Sequence, residues 1–275
     1  MTAQRDVALA WNNGAIVKAS DVRIGCNDRG FTLADGVFET IRCEGARALW
    51  LDEHLARLRA GAEVLGIPVP LPDSAIDKGL GELLESAKVP QSAIRLTLTR
   101  GVSAMRGLWP PGEPIVPTFL ATIAPLGLRP SPSLIVAGST RRNDQSPLSR
   151  IKSLNYGDNL IARREADARG ADDAILLNTR GMVASCTVGN LFIKVGQCWV
   201  TPPIEDGVLP GLARARLVKA LAADERTIPA TELSCISAAI VSNSLGAAVV
   251  IKVDGRCLPD SQDPALERCL AAVYR

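Results

Sequence analysis

Pro125-Leu126-Gly127-Leu128-Arg129-Pro130-Ser131-Pro132 places three prolines in eight residues near the middle of a 275-residue chain. Proline fixes φ and removes an amide donor, so regular structure stops here. The stretch reads as a linker between a smaller N-terminal part, residues 1–124, and a larger C-terminal part, residues 133–275. On the N-terminal side, Val7 to Trp11 and Ala15 to Val17 flank Asn12-Asn13-Gly14 and predict a hairpin. Gly36 to Arg42 predicts a strand. Leu55, Leu58, Ala62 and Leu65 recur at helical spacing, with Asp52 expected as the N-cap and Gly66 as the stop. A second helix is expected over Ser74 to Ser86, and strands over Ile94 to Arg100 and Thr118 to Ile123.

On the C-terminal side, strands are expected at Leu134 to Ala137, Ala174 to Leu177, Ala238 to Ser242 and Val249 to Val253. Leu191 to Val195 and Cys198 to Thr201 predict a hairpin across Gly196-Gln197. Helices are expected over Asn155 to Arg169 and Leu212 to Ala222. The order is mixed α+β in two parts, not a regular βαβ series.

Composition excludes several classes of function. With 31 basic and 29 acidic residues the formal net charge is +2, and aromatics make up only 4%. Neither an electrostatic footprint for nucleic acid nor a base-stacking platform is present. No apolar run approaches the ~20 residues of a membrane span, and Met1 to Trp11 does not read as a signal peptide. The seven cysteines include no Cys-x-x-Cys, which argues against a zinc site or a disulfide framework. His54 is the only histidine, so any triad or His-based metal site would have to use it. A cytoplasmic location is expected.

The densest chemistry lies in Ser146-Pro147-Leu148-Ser149-Arg150-Ile151-Lys152-Ser153-Leu154-Asn155-Tyr156. Ser149-x-x-Lys152 matches an acyl-transfer pair in form, but its companions Ser-Asp-Asn and Lys-Thr-Gly are absent. Lys152 is better read as an amine nucleophile, expected at a strand end beside a polar helix start, where it can form an imine with a carbonyl cofactor. Gly79-Leu80-Gly81 lacks the third glycine of a dinucleotide loop, since Leu84 stands there. Asp28, Asp35 and Glu39 are separated carboxylates, not a glycosidase pair.

Words along nearly the whole chain carry a resemblance. They are Asp28-Arg29-Gly30-Phe31, Asp35-Gly36-Val37-Phe38-Glu39, Glu53-His54-Leu55-x-Arg57-Leu58, Thr99-Arg100-Gly101 and Lys152-Ser153-Leu154-Asn155-Tyr156. Gly170-Ala171-Asp172-Asp173-Ala174, Asn190-Leu191-Phe192, Leu209-Pro210-Gly211 and Ser242-Asn243-Ser244 follow in order. The chain resembles the fold-type IV (class IV) pyridoxal-phosphate enzymes, which include D-amino-acid and branched-chain aminotransferases and aminodeoxychorismate lyase. The resemblance implies a two-domain α/β (mixed α+β) fold with the active site between the domains, a homodimer, and pyridoxal 5′-phosphate held as a Schiff base on Lys152. Amino-acid and 2-oxo-acid substrates follow from it.

The resemblance also implies roles. Arg57 would grip the phosphate, as a guanidinium can bidentately. Leu212 and Ala213 would add backbone amides from a helix start, and Asn243 and Ser244 further donors. Tyr156 would contact the phenolic oxygen. Arg106 and Arg42 are candidate clamps for a substrate carboxylate. Phe38 stands where D-specific members have tyrosine, which points to a more apolar substrate pocket.

One position departs from the pattern. The family's acid for the pyridine nitrogen is replaced by Ser185 in Gly181-Met182-Val183-Ala184-Ser185-Cys186-Thr187. A carboxylate keeps that nitrogen protonated, whereas a hydroxyl can only hydrogen-bond it. Three expectations follow: transamination with a weakened electron sink, elimination of pyruvate as in aminodeoxychorismate lyase, or cofactor binding with little turnover.

Overall fold

A computed structural model describes residues 9–105, 107–109, 115–128, 130–262 and 264–274. The chain divides into two compact units. The first extends to Gly127 and takes in Ile151–Asn155; the second comprises Leu128–Arg150 and the chain from Tyr156 onward. Sequence reading puts Lys152 in the C-terminal part, whereas this division assigns its short segment to the first unit.

The first unit contains strands β1 (Leu9–Asn12) and β2 (Ala15–Lys18), helix α1 (Arg29–Leu33), strands β3 (Gly36–Glu44) and β4 (Arg47–Ala48), helices α2 (Leu51–Leu65) and α3 (Asp73–Ala87), and strands β5 (Gln91–Thr99) and β6 (Thr118–Pro125). They build a six-stranded antiparallel sheet in the order β2-β1-β6-β5-β3-β4. Side chains alternate across a strand. Val37, Ile41 and Cys43 of β3 therefore join Ile94, Leu96, Leu98 and Phe119 in a core shared with Leu55, Leu58 and Ala62 of α2 and Ile76, Leu80 and Leu83 of α3. Phe38, Thr40 and Arg42 point the other way. Helix α2 starts one residue before the expected cap, after Trp50 in the left-handed region (φ 55°), and Trp50 supplies no capping side chain. Asp52 instead sits in the first turn with Glu53, where negative charge suits the helix dipole.

The second unit contains β7 (Ser133–Val136), α4 (Gly157–Ala168), β8 (Asp173–Leu177), β9 (Val183–Cys186), β10 (Asn190–Val195), β11 (Cys198–Thr201), α5 (Leu212–Ala220), β12 (Asp224–Glu225), β13 (Ala238–Asn243), β14 (Gly246–Val249), β15 (Lys252–Val253), β16 (Arg256–Cys257) and α6 (Pro264–Val273). Two five-stranded sheets result, ordered β12-β11-β10-β13-β14 and β16-β15-β7-β8-β9. The strand expected over Val249 to Val253 is split between them. The Val250 amide still bonds Ala239, but the Ile251 amide bonds Pro132, which hands the chain from one sheet to the other. Among the described residues no helix is long and apolar enough to cross a membrane.

Candidate active site

Lys152 lies in a turn, not at a strand end, and its segment is joined to the open edge of β3. The Phe38 amide donates to the Lys152 carbonyl at 2.9 Å and the Leu154 amide to the Gly36 carbonyl at 2.9 Å, with Val37 opposite Ser153 in an antiparallel bridge. Opposed residues of an antiparallel pair project to the same side. Ile151 therefore follows Glu39 to the helix-covered face, where it packs on the core. Lys152 follows Phe38 to the opposite face, and its Nζ stands 4.2 Å from the centroid of the Phe38 ring. Gly36 permits this docking: a Cβ there would come within 2.5 Å of the Leu98 carbonyl and 2.7 Å of Leu154. The Arg95 guanidinium also lies over the Phe38 ring, at 3.8 Å. A cation over an aromatic face gains about 0.5–2 kcal/mol depending on desolvation, so this ring helps to orient the amine.

The helix-covered face carries an arrangement that the sequence-based reading misses. Glu39 is wholly buried there, between two apolar neighbours of its own strand. Arg57, at mid-helix in α2 as expected, donates to it from Nε at 2.8 Å and from Nη2 at 2.7 Å. His54, one turn earlier and wholly buried, places Nδ1 2.7 Å from Glu39 Oε2. Burial raises the carboxyl pKa, but the hydrogen bonds from Arg57 and then His54 outweigh it and hold Glu39 at about 2. For His54 burial dominates over the attraction of Glu39, so its pKa falls below the ordinary value; the nearby charges of Arg57 and Lys152 act in the same direction as burial.

The substrate candidates are less concentrated. Arg42 shares the Phe38 face of β3 but forms an ion pair with Glu44 at 3.0 Å. Arg106 lies outside the described residues. Its neighbours Met105, Gly107 and Leu108 line a cleft of about 760 Å³ with Cys26, Asn27 and Arg29. Arg29 fixes the wall of that cleft, donating to the carbonyls of Gly107 at 2.9 Å and Leu108 at 2.6 Å while it pairs with Asp35 at 2.8 Å. Arg100 holds the same carboxylate at 2.7 Å. Asp35, expected in a simple turn, is thus the hub of two buried arginines.

In the second unit the candidate ligands are neutral. Ser185 is buried in β9 opposite Leu176. Leu212 and Ala213 open α5 behind Gly211, and their amides, like those of any first turn, have no intrahelical acceptor. A Cβ on Gly211 would come 2.1 Å from Asn190 Oδ1, so a larger residue would have to displace the Asn190 side chain, which donates to the Leu209 carbonyl at 3.0 Å. Asn243 ends β13 with its side chain donating to the Val188 carbonyl at 3.1 Å and accepting from the Leu245 amide at 3.0 Å. Ser244 follows in the turn to β14. Tyr156 precedes α4, within electrostatic reach of the buried Arg142 guanidinium, which donates to the carbonyls of Gly207 at 3.0 Å and Ser149 at 2.8 Å.

A family model described as Amino-transferase class IV matches residues 36–253, a span that holds Arg57, Lys152, Ser185 and the other site residues expected from the sequence. The chain belongs to the class IV aminotransferase family. A Methanocaldococcus jannaschii relative, whose name places it with the branched-chain-amino-acid aminotransferases, is 33% identical over 214 residues, 75% of this chain and 72% of its own. The aminodeoxychorismate lyase of Bacillus subtilis is 29% identical over 216 residues, 77% of this chain and 73% of its own. A solved branched-chain amino acid aminotransferase of Escherichia coli superposes with a TM-score of 0.89 at 21% identity, covering 97% of this chain and 93% of that one. That last likeness shows the shared fold-type IV architecture.

Class IV aminotransferases depend on pyridoxal 5′-phosphate, and the donor set here suits a phosphorylated aldehyde. The first unit offers one amine held against a ring and a guanidinium held by a buried carboxylate, and the second offers a helix start whose first-turn amides have no intrahelical acceptor. Ser185 is the exception: at the position where the resemblance implies an acid for the ring nitrogen, it carries a hydroxyl. Strand β9, which carries it, is absent from the sequence-based expectation. Val-Ala-Ser-Cys is buried at all four positions and so shows no alternation to read.

Proposed function

We propose that this class IV protein binds pyridoxal 5′-phosphate covalently through Lys152 and transfers amino groups between an amino acid and a 2-oxo acid. The observation that carries the reading is the Lys152 segment joined to β3, with Nζ 4.2 Å from the Phe38 ring centroid. When bound, the cofactor supplies an electron sink for the bond being broken at the substrate Cα. Lys152 Nζ would serve as the base that takes the substrate Cα proton and as the acid that delivers it to the cofactor's C4′ carbon. Arg57 and the helix-start amides of Leu212 and Ala213 hold the phosphate, with Asn243 and Ser244 at its margin. Tyr156 orients the phenolic oxygen. Ser185 hydrogen-bonds the ring nitrogen without fixing a charge on it. Phe38 shapes the substrate side, and Arg42 and Arg106 are the candidate clamps for a substrate carboxylate. The reading includes a cytoplasmic homodimer. Phe31, Leu108, Trp109 and Val116, large apolar side chains exposed on the first unit, give its surfaces something to bury.

Ser185 also favours a second reading, elimination of pyruvate from aminodeoxychorismate, because a good leaving group needs less help from the ring. One experiment separates them. The loaded protein is mixed with a panel of amino acids, and separately with aminodeoxychorismate and no acceptor. A 2-oxo acid formed in stoichiometric amount from an amino acid supports amino transfer; sustained pyruvate release supports elimination. No response to any amine reduces the protein to a cofactor binder.

A further inference from the structure

We propose that Glu39 and His54 are positioning residues, a rigid mount that aims the Arg57 guanidinium at the cofactor phosphate. This rests on the phosphate role proposed above for Arg57. A carboxylate on the core face of β3 breaks the apolar pattern of Val37, Ile41 and Cys43. A buried ion pair is seldom a better stabiliser than apolar residues of the same volume, so its presence calls for another reason. The geometry supplies one. Glu39 takes Nε of Arg57 at 2.8 Å and Nη2 at 2.7 Å, the two donors along one side of the planar fork. Because guanidinium is rigid and planar, this grip directs the remaining N–H bonds away from Glu39 and fixes where they point.

His54 completes the mount. Its Nδ1 lies 2.7 Å from Glu39 Oε2, and its Nε2 is buried with no hydrogen-bond partner. A doubly protonated ring would leave an N–H stranded, so the neutral tautomer with the proton on Nδ1 fits the site. It holds the carboxylate in place without competing with Arg57 as a second cation. Glu39 faces Arg57 and His54 from α2, with the charge of Lys152 acting on His54 from the joined segment.

The test compares pyridoxal 5′-phosphate with pyridoxal, which lacks the phosphate, by titrating apo protein and reading the absorbance of the Lys152 adduct. The ratio of the two affinities measures the phosphate grip alone. Glu39→Gln puts an amide NH2 against one Arg57 donor, and the preference for the phosphorylated form is expected to fall about tenfold or more. His54→Asn keeps a donor at the same place and is expected to hold the ratio within about threefold; His54→Leu removes the donor and is expected to lower it further than that. Circular dichroism and Tm establish that each variant folds. A folded Glu39→Gln protein with an unchanged ratio overturns the mount. Should that variant not fold, equal ratios for His54→Leu and His54→Asn overturn it. Arg57→Ala separates the two levels: if it leaves the ratio unchanged, the phosphate role of Arg57 itself fails, whereas a collapse there with no change in the other variants defeats only the mount.

Discussion

The two units handle buried polarity differently. In the first, Glu39 meets Arg57, and Asp35 meets Arg29 and Arg100, while the buried Asp28 is held by the Thr99 and Thr118 hydroxyls. In the second, the candidate cofactor ligands are hydroxyls, a phenol and helix-start amides. Its buried carboxylates go elsewhere: Asp144 and Asp206 are tied by Arg180, and Asp173 by the Thr187 hydroxyl. On the reading proposed above, Arg57 grips the phosphate from a charged mount, while Ser185 leaves the ring nitrogen of the cofactor with neutral company. Phosphate affinity should then be robust and electron withdrawal by the ring weak.

Removing the nucleophile tests the shared assumption. Lys152→Ala is expected to lower amino transfer by about 10³-fold or more and to abolish the adduct that borohydride traps in wild type. Mass spectrometry of the reduced protein checks it, and a trapped adduct of unchanged yield in the variant would remove Lys152 from the mechanism.

The acid limb of stability sharpens the first half of the contrast. Glu39 is held at about 2, below its ordinary 4.5. A carboxyl with a lowered folded pKa contributes stability that is complete above the ordinary value and is lost as pH falls through the folded one. Wild type should therefore lose Tm steeply between pH 4.5 and 2, and Glu39→Gln should lose less over the same window. Parallel Tm profiles for the two proteins would show that the charge of Glu39 is not what the fold uses.

Ser185→Glu addresses the second half. A carboxylate at this buried position is expected to raise amino transfer by about tenfold, one pKa-unit equivalent of stabilised ring charge, while lowering the Tm of the apo protein. Adding cofactor should restore much of that Tm, because the ring nitrogen then partners the acid. A variant that folds, binds cofactor and turns over no faster would mean that the neutral contact is not the limit on transfer.

Helices α2 to α5 and most strands were legible because their apolar residues recur with the right period: Leu55, Leu58 and Ala62 on α2, and alternating residues on β3. The Glu39 mount was legible in principle. Val37-x-Glu39-x-Ile41-x-Cys43 sets one carboxylate into an apolar face, and Glu53-His54-Leu55-Ala56-Arg57 places a histidine and an arginine on adjacent turns. What concealed it is that each residue is ordinary alone, and only the register of β3 against α2 brings them together. Helix α1 has five residues, too few to show a period. The Lys152 segment could be recognised by its family words, but its place beside β3 depends on pairing across more than a hundred residues, which no local pattern encodes.

The smallest expected effect tests whether the carboxylates of the second unit are truly structural. Arg180 is half exposed, yet it reaches Asp144 at 3.1 Å and also bonds Asp206, both of them buried. Asp144 keeps the Thr179 hydroxyl, which is the main reason its pKa stays near 2. Asp206 depends more on the arginine, because its Oδ2 has no hydrogen-bond partner. Arg180→Gln should therefore cost about 1 kcal/mol, the modest figure expected when solvent screens one partner, and lower Tm by about 2–4 °C in a chain of this size. The ratio of pyridoxal 5′-phosphate to pyridoxal affinity should not move, since neither aspartate is assigned to the cofactor. A change in that ratio at constant Tm would place Arg180 among the phosphate ligands and erase the division of labour between the units, because a charged group of the second unit would then share the grip with Arg57.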